Sequence, residues 1–462
     1  MVRTIVLLAV STLALSACLV KPPAAPAQFA DRQSDPVVVS GAAVTALAGV
    51  PVGDIVAFRY ASGAWKQVPV QVDERKTIEL NTAYHQPANP TNPVNVTVYA
   101  DTNTWVGAGD GALGSLDEIA FMAADAGQSA PGGAGRPEGV VAGPGVRLTV
   151  TDPLDGDVAY LYLFRRSGDL APGAGLEYVH YTFTLTSGEY KTTYKLADGP
   201  NPETSKVTTG FYTREFHDRW LDDVLSFKNG DTNGPDVLDR HKALFAPGVC
   251  GRSEDTFNDA EGAFLANING PVRAIRSYIG ANSGPYTQRT HTFYAQREDI
   301  VTDLRVHAIS GVMSFFDYSN AAIGMRYTND RNLAGVPIDG ATDTVVAGAN
   351  AWEKVDGTPG ALTHVWTAAT DVTPPPSTTN YYEDNATNPT LQCTGDADAI
   401  GSSGQRNTSA IPNTDPHVGP AAKFQNTRVL FFEAAGRSTA DAQRHADQVV
   451  APLTVAAAAY VG

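Results

Sequence analysis

The chain reads VRAIRSYI at residues 272–279 and QRTHTFYAQR at residues 288–297, two strand-like runs joined by a glycine-bounded loop at 280–285. β-Branched and aromatic residues alternate with polar ones in both runs, which is the pattern of half-buried strands. Such repeated runs indicate a chain built from strands. Further runs of this type lie at 178–185, 190–196, 304–309 and 428–432.

Composition also favours strands and turns over helices. Charged residues make up 18% of the 462 residues, and glycine (43) and proline (30) together number 73. Long helices need more leucine, glutamate and lysine than this chain contains. We therefore expect an all-β protein with few short helices, of which the clearest lies at 439–449 with Ser438 or Thr439 as its N-cap.

The predicted domain order is a small N-terminal β-domain followed by a large β-sandwich. The first domain covers residues 36–127, and a glycine-rich linker or surface loop follows at 128–145. The sandwich takes up residues 146–462 and includes a loop excursion at 370–420, where Pro374-Pro375-Pro376 and many polar residues occur.

Two hairpins are predicted within these domains. The first joins runs at 52–60 and 65–72 around Ala61-Ser62-Gly63. The second joins the runs at 178–185 and 190–196 across Ser187-Gly188. Both connections contain glycine, which tolerates the backbone angles of tight turns.

The first eighteen residues predict export. A short positive start at Met1-Val2-Arg3 precedes an apolar run at 5–15, which is too short to span a bilayer, since spanning takes about 20 apolar residues. Leu15-Ser16-Ala17-Cys18 resembles the lipobox of bacterial lipoproteins, in which the cysteine receives a diacylglycerol and becomes the new N-terminus. The resemblance covers only this segment. Ordinary secretion with cleavage near Ala25 or Ala27 is the alternative.

This resemblance implies a signal peptide at 1–17 and a lipidated tether and linker at 18–35. The protein is then expected outside the cytoplasm, attached to a bacterial membrane through lipid on Cys18. Its formal net charge is −16 at pH 7 and becomes −17 when Arg3 is removed with the signal peptide. Such a surface repels nucleic acid, so no nucleic-acid partner is expected.

Lipidation of Cys18 would leave two further cysteines, Cys250 and Cys393. Two cysteines in an oxidising compartment suggest one disulfide. Two unpaired buried thiols are the alternative.

A stretch rich in Asn, Asp and Gly at 229–236 offers oxygen ligands on a tight turn. Asp231, Asn233, Asp236 and Asp239 carry the oxygens that Ca²⁺ prefers. The stretch does not match an EF-hand loop, because Pro235 occupies the fifth position counted from Asp231. These residue types also cluster in ordinary turns. Both interpretations, a bound Ca²⁺ ion and an ordinary turn, stay open. No other cofactor is predicted.

An arginine-rich segment between Asn267 and Tyr318 is the strongest candidate for a site. If the runs at 288–297 and 304–309 pair across a turn at 298–301, their arginines and histidines lie side by side, because alternate residues share a face. The candidate catalytic residues are Asn282, Tyr286, Arg289, His291, Arg305 and His307, and the candidate substrate-binding residues are Arg273, Arg276, Tyr278 and Arg297.

These residue types suit sugars that carry a carboxylate. An arginine binds a uronate carboxylate through two parallel hydrogen bonds and acidifies the neighbouring carbon-bound proton. A histidine or tyrosine removes that proton, and a tyrosine hydroxyl protonates the leaving oxygen. This is β-elimination, the reaction of polysaccharide lyases. The sequence therefore predicts an extracytoplasmic lipoprotein that acts on polysaccharide, with cleavage of a uronate-containing glycan as the preferred reaction.

Other interpretations of the same residues stay open. Strand arginines also pair with acidic residues across a ladder, as Arg297 and Asp303 would, and the segment would then be structural. A glycoside hydrolase needs two carboxyl groups at a set separation, and the chain has too many acidic residues to choose a pair. A non-catalytic glycan-binding or surface-scaffold protein also fits, because aromatic residues are plentiful, with 18 Tyr, 17 Phe and 5 Trp.

Replacing Cys18 by serine should abolish lipidation and leave an uncut or released protein, because serine has no thiol to accept the diacylglycerol. Cell fractionation and the intact mass of the Cys18→Ser protein test this expectation. Membrane retention with the mature mass unchanged would contradict it.

Overall fold

A computed structural model describes residues 29–84, 86–186, 202–247, 250–386 and 400–462. Within these ranges the chain forms 28 strands and two α-helices, α1 (Glu254–Asn258) and α2 (Thr439–Val450). The all-β prediction is confirmed. Short 3-10 turns lie at Gly41–Ala43, Thr45–Leu47, Val52–Asp54, Leu80–Tyr84, Ala123–Asp125, Cys250–Arg252 and Asn320–Ala322.

Strands from both ends of the described chain form the first layered unit. Its larger sheet consists of β2 (Ile55–Ala61), β3 (Ala64–Val68), β8 (Gly145–Thr151), β9 (Val158–Arg165) and β28 (Thr454–Tyr460), in the order β28-β8-β9-β2-β3. Its smaller sheet consists of β1 (Pro36–Ser40), β4 (Gln71–Asp73) and β7 (Glu118–Met122), in the order β1-β7-β4. A separate ribbon pairs β5 (Arg75–Glu79) with β6 (Asn95–Tyr99).

The core of this unit crosses the predicted domain boundary. Ile119 and Phe121 of β7 share one buried cluster with Leu148 of β8 and Leu161 of β9. The structure thus differs from the division predicted at 128–145, because β8 and β9 need β2 and β28 as hydrogen-bonding partners on their edges. The first predicted hairpin is confirmed, with φ angles of 52° at Ser62 and 78° at Gly63 in its turn.

A nine-stranded antiparallel sheet forms one layer of the large sandwich. Its order is β16-β17-β18-β19-β27-β24-β23-β21-β22. Its strands are β16 (Ala263–Ile268), β17 (Ala274–Ile279), β18 (Gln288–Phe293), β19 (Arg297–Asp303), β21 (Arg326–Asn329), β22 (Asn332–Pro337), β23 (Trp352–Gly357), β24 (Gly360–Thr370) and β27 (Phe424–Glu433).

Two smaller antiparallel sheets form the facing layer. The first consists of β10 (Val179–Thr182), β11 (Ser205–Thr209), β12 (Tyr212–Phe216), β13 (Asp222–Asn229) and β14 (Thr232–Asp236). The second consists of β15 (Leu238–Phe245), β20 (Val312–Tyr318), β25 (Thr378–Glu383) and β26 (Ser402–Asn407), in the order β15-β20-β26-β25. Phe216, Phe227 and Phe316 of these sheets pack against Phe293 and Phe432 of the nine-stranded sheet. The predicted sandwich is therefore present.

Helix α2 covers the outer surface of the nine-stranded sheet. Ala442 and Ala446 pack on Trp352, Val429 and Phe431. Ser438 caps the helix in a reciprocal arrangement with Asp441, which confirms the predicted N-cap.

The central hairpin differs from its prediction. Strand β18 ends at Phe293, and Arg297 begins β19, which pairs with β18 so that His291 faces Ile300 and Gln288 faces Asp303. The turn therefore lies at 294–296, and the predicted turn at 298–301 is strand. Residues 304–309 form no strand, and Arg297 and Asp303 are the two ends of one strand. The sequence Tyr294-Ala295-Gln296 carries no glycine, proline or asparagine to indicate a turn.

The predicted excursion at 370–420 also contains regular structure. Strands β25 and β26 lie within it and pair with each other and with β20. Clusters such as Ser402-Ser403-Gly404 are typical of loops, so the sequence does not predict these strands. The second limb of the predicted hairpin at 190–196, Cys18 and Cys393 lie outside the described residues, so the lipidation and the Cys250–Cys393 disulfide stay predictions. No helix of the described residues is both long and apolar enough to cross a membrane.

Arg273 joins the large sandwich to the N-terminal unit. Its Nε donates to Asp73 Oδ2 at 2.8 Å, and its Nη2 donates to Glu118 Oε2 at 2.8 Å. The side chain is only 2% exposed. The predicted substrate-binding role of Arg273 is therefore replaced by a structural one.

Arg273→Ala should lower the free energy of unfolding by about 3–5 kcal/mol, because Asp73 would remain a buried charge without its partner. Denaturant unfolding monitored by circular dichroism measures this. The control is Arg444→Ala, whose guanidinium is 39% exposed in its pair with Asp441 and should contribute no more than about 1 kcal/mol. Equal losses in the two variants would contradict this account of Arg273.

Candidate functional site

Four of the predicted site residues do share one face of the central hairpin. Arg276 of β17 pairs with His291 of β18, and Tyr278 pairs with Arg289. That face points into the sandwich, so Arg276, Tyr278 and His291 are at most 1% exposed and Arg289 is 5% exposed. The second layer of the sandwich covers the face that the sequence analysis expected to meet substrate.

Arg276 is held by a buried carboxylate. Its Nη1 donates to Glu203 Oε2 at 2.8 Å, and its Nη2 donates to Glu203 Oε1 at 2.5 Å. Its guanidinium also lies 4.4 Å from the ring centroid of Phe216. This pair occupies the hydrogen-bonding edge that a substrate carboxylate would need, so Arg276 is a structural residue.

His291 is enclosed between an acid and a phenol. Its Nδ1 lies 2.7 Å from Glu298 Oε1, and its Nε2 lies 3.2 Å from the hydroxyl of Tyr278. Burial, together with neighbouring arginines, lowers the pKa of His291 well below 6.5. The ring is therefore neutral at pH 7.

The remaining predicted catalytic residues lie apart from this face. Tyr286 stacks on His417 with ring centroids 3.7 Å apart, and its hydroxyl donates to Asn81 of the N-terminal unit. Burial raises the pKa of Tyr286 to about 12. Asn282 is half-buried in the loop before Tyr286, and its Oδ1 accepts from Ser283.

The other predicted arginines and His307 also lie apart from the Arg289–His291 face. Arg297 pairs with Asp299 at 2.6 Å and lies 3.5 Å from Asp35. Arg305 donates to the carbonyl of Tyr286 at 3.0 Å, in a different cleft from Arg289. His307 is exposed on the surface. The predicted ribbon of arginine and histidine is therefore not assembled, because residues 304–309 do not pair with β18.

The Asp- and Asn-rich stretch forms the β13–β14 hairpin. Asp231 and Asn233 are exposed, and Asp236 Oδ1 accepts from the backbone N–H groups of Leu225 and Leu238. In the part of the chain that the structure describes, no three His, Cys, Asp or Glu side chains come together in a group able to hold a metal ion. A Ca²⁺ ion bound by Asp231, Asn233, Asp236 and Asp239 stays a prediction.

A cavity opens between the nine-stranded sheet and the β15-β20-β26-β25 sheet, close to Arg289. Its internal volume is about 40 Å³, which is room for a small group such as a carboxylate but not for a whole sugar ring. Its lining mixes arginines, amides and hydroxyls with apolar side chains. The lining residues that carry polar side chains are Arg289, Thr302, Ser314, Thr378, Gln405, Arg406, Asn407 and Asn426, and the apolar ones include Phe245, Leu304, Val312, Met313 and Phe424.

Arg289 is fixed in this lining without a carboxylate. Its Nε donates to Thr302 Oγ1 at 3.0 Å, and its guanidinium lies 4.3 Å from the ring centroid of Trp220. Arg406, on β26, is half-buried and borders the same cavity, but it lies on the opposite face of the strand from Gln405 and also lines a second cleft beside Glu383. Among the described residues, neither arginine has an ion pair within 4.0 Å, although the chain carries a net charge of −16.

A network of charged and imidazole side chains lies behind the cavity. Arg428 of β27 is at its centre, donating from Nε to His364 Nε2 at 3.0 Å and from Nη1 to Ser314 Oγ at 2.7 Å. His364 Nδ1 lies 3.0 Å from Glu353 Oε1. The ionisable members of the network are Arg214, Arg289, Arg428, His241, His291, His364, Asp222, Glu298 and Glu353.

Burial governs ionisation in this network. It raises the pKa of Glu353 to about 8 and that of Asp222 to about 7, while nearby arginines oppose both shifts. It lowers the pKa of Arg428 to about 9, so this guanidinium still carries its charge at pH 7. The pKa values of His241 and His364 also lie well below 6.5 because of burial.

Most residues of the cavity were missed in the sequence analysis. Gln405, Arg406 and Asn407 lie in the segment predicted as a loop, and Asn426 lies just before the predicted run at 428–432. The sequence does contain one signal for this site. Ser314 is the single hydroxyl-bearing residue in the apolar run VMSFF at 312–316. A polar residue at a core position of a strand indicates a hydrogen-bonding role.

Glu353→Gln should make stability less dependent on pH. The pKa of Glu353 is raised from 4.5 to about 8 in the folded protein, so the folded state holds the proton more tightly than the unfolded state. The contribution of Glu353 to the free energy of unfolding is fully present below about pH 4.5 and is lost as the pH rises to about 8.

Denaturant unfolding at pH 5 and pH 8 measures the effect, with the surface variant Glu138→Gln as the control. The wild-type protein and the control should lose more stability between these pH values than Glu353→Gln does. The same loss in all three proteins would contradict the assignment of a raised pKa to Glu353.

Comparisons with known proteins identify similar solved structures but no family. No protein-family model matches the sequence, and no curated protein is detectably similar to it. An alpha-mannosidase from Enterococcus faecalis V583 aligns with a TM-score of 0.41 at 7% identity, covering 89% of this chain and 41% of that chain. A glycosyl hydrolase family 38 protein from Enterococcus faecalis aligns with a TM-score of 0.40 at 8% identity, covering 88% of this chain and 42% of that one. This chain thus spans less than half the length of either protein, and at TM-scores below 0.5 we draw no functional conclusion from them.

Proposed function

We propose that the cavity beside Arg289 binds a carbohydrate that carries a carboxylate, such as a uronate residue of a polysaccharide. The observation that carries this proposal is Arg289, a buried cavity-lining arginine without an acidic partner among the described residues. Burying an unpaired guanidinium costs free energy. A bound carboxylate would offset that cost through two parallel hydrogen bonds.

Arg289 is prepared for such a ligand. Thr302 and the ring of Trp220 hold its guanidinium, so little side-chain freedom is lost when a ligand binds. An exposed lysine would lose much more. This preorganisation favours recognition of a planar carboxylate over a diffuse attraction to negative charge.

The other lining residues offer polar and aromatic partners to the part of a sugar that enters the cavity. Thr302 and Thr378 supply hydroxyls, and Asn426 supplies an amide, which are suitable hydrogen-bonding partners for sugar hydroxyl groups. Phe245 and Phe424 supply aromatic surface for its C–H faces. Pockets of this kind combine an apolar lining with a few placed polar groups.

β-Elimination is the second candidate function. It is favoured by the position of Tyr278, whose hydroxyl hydrogen-bonds to His291 and whose strand partner is Arg289. Both rings are 1% exposed, however, so a sugar would reach them only if the cavity widened past Arg289. Binding is therefore the function that the geometry supports best. Hydrolysis by a carboxylate pair has less support, because none of the cavity-lining residues is acidic.

The proposed setting is the outside of a bacterial membrane. It rests on the lipobox-like segment ending at Cys18. The segment at 18–35 would then let the sandwich reach polysaccharide near the membrane surface.

Arg289→Ala should weaken binding of a uronate polymer roughly 10- to 100-fold, since a hydrogen bond to a charged group is worth about 1.5–3 kcal/mol. Isothermal titration with polygalacturonate and with a neutral polysaccharide of similar length measures this. Added salt should weaken uronate binding more than neutral binding.

Arg331→Ala is the matched control, because this arginine is exposed and lies outside the cavity lining. Absorbance of unsaturated uronate in the same samples reports β-elimination, and reducing ends report hydrolysis. Equal binding of both polymers by the wild-type protein, or unchanged uronate binding by Arg289→Ala, would contradict the proposal.

A further inference from the structure

Ser314 presents a hydroxyl to the cavity in a setting that the proposed binding function does not use. It lies in the middle of β20, and its Oγ is 3.2 Å from His241 Nε2. The strand register explains this contact. Ser314 pairs with Ala243 of β15, and His241 lies two residues before Ala243 on the same face of that strand. The serine lines the cavity while the histidine is 1% exposed behind it.

The other nitrogen of His241 faces an acid. His241 Nδ1 lies 3.4 Å from Asp222 Oδ2 without meeting hydrogen-bond geometry, and Asp222 is in turn bound by Arg214. A hydrogen bond between such groups is usually about 2.9 Å long. Catalytic hydrogen bonds are often longer than this in the absence of substrate. With its proton on Nδ1 toward Asp222, the ring has its lone pair on Nε2 toward Ser314.

We propose that Ser314 is the nucleophile of an ester-hydrolysing site in this cavity, with His241 as its general base and Asp222 as the positioning residue. The substrate class is an O-acyl ester with a small acyl group. This activity goes beyond carbohydrate binding, and it does not require that the alcohol part of the ester carry a carboxylate. The arrangement follows the serine–histidine–acid logic, which is defined by geometry rather than by chain order.

The reaction balances with water as the only co-reactant. Ser314 Oγ forms a bond to the ester carbonyl carbon, its proton moves to His241 Nε2, and the carbonyl π electrons move to oxygen. The oxyanion collapses, the bond to the alcohol oxygen breaks, and His241 gives its proton to that oxygen. Water then attacks the acyl-serine, passes a proton through His241 to Ser314 Oγ, and releases the carboxylic acid.

Two buried donors near Ser314 are available for the oxyanion. Arg428 Nη2 and Asn407 Nδ2 are buried and have no hydrogen-bond partner among the described residues. Asn407 lines the cavity and belongs to β26, in which Gln405 is the strand partner of Ser314. Removing one oxyanion donor from an acyl-transfer enzyme typically costs about 100- to 1000-fold in rate.

Arg428 also contacts both reacting groups. Its Nη1 donates to Ser314 Oγ at 2.7 Å and also contacts His241 Nε2. The first contact stabilises negative charge developing on the serine oxygen. The contact with His241 must break before His241 Nε2 accepts the serine proton. A substrate carbonyl oxygen bound at Arg428 Nη2 would draw the guanidinium away from His241 Nε2.

The imidazole is in the protonation state that a base needs. Burial lowers the pKa of His241 well below 6.5, and the charges of Arg428, Arg289 and Arg214 act in the same direction. His241 is therefore neutral at pH 7. Phe245 and Val312 line the cavity beside Ser314, and its volume of about 40 Å³ limits the acyl group to a small one such as acetyl.

A fluorophosphonate probe tests the nucleophile directly. The full chain should gain the mass of one probe adduct, and peptide mapping should place it on Ser314. Ser314→Ala should abolish labelling and reduce hydrolysis of p-nitrophenyl acetate roughly 100- to 10,000-fold. The matched control, Ser310→Ala, removes an exposed serine outside this cavity and should behave as the wild-type protein.

Two further variants separate chemistry from folding. Ser314→Cys keeps the side-chain volume and should react with iodoacetamide faster than the same variant that also carries His241→Ala. Asp222→Asn should lower kcat with KM nearly unchanged, which a role in packing alone would not produce. Circular dichroism confirms that each variant is folded.

Absence of labelling, labelling at another residue, or equal labelling of the wild-type protein and Ser314→Ala would overturn the proposal. So would Ser314→Cys alkylation that does not depend on His241. These outcomes are independent of uronate binding, because the probe and p-nitrophenyl acetate carry no sugar. Failure here is thus distinct from failure of the carbohydrate proposal.

Discussion

Charge inside the large sandwich is the constraint on which the site depends. A buried guanidinium needs an acid or several hydrogen bonds, and most of the interior arginines have one, as Arg276 has Glu203 and Arg214 has Asp222. Arg289 is the exception that borders a cavity, because Thr302 and Trp220 hold it but no carboxylate neutralises it. The same requirement brings His241, Ser314 and His364 around Arg428, since uncharged nitrogen and oxygen atoms accept its hydrogen bonds.

The fold places these groups by bringing distant strands to one opening. The nine-stranded sheet contributes Arg289 to the lining and the β15-β20-β26-β25 sheet contributes Ser314, while Arg428 and His241 lie buried behind them. Rigid strands hold such groups better than loops would. Arg273 then fixes the sandwich to the N-terminal unit through Asp73 and Glu118, so one edge of the nine-stranded sheet has a defined neighbour.

Much of the secondary structure followed from local pattern, whereas the site did not. Period-two alternation placed Arg289 and His291 on one strand face, and capping chemistry located Ser438 at the start of α2. Alternation does not tell which face a second sheet covers, so it predicts a binding surface where the structure has an interior. Tyr294-Ala295-Gln296 carries no turn residue, and this shifted the predicted partner strand to 304–309. The cavity combines residues more than 130 positions apart, and a single sequence gives no signal for such contacts.

A crystal structure of the protein soaked with a short uronate oligosaccharide tests the central claim most directly. The account predicts density for the sugar in the cavity between the two sheets. Its carboxylate should lie within hydrogen-bond distance of the Arg289 guanidinium, with Thr302 and Trp220 in their present positions. Oligosaccharide bound only in another cleft, or an Arg289 that turns away to pair with an acidic side chain of the protein, would contradict it.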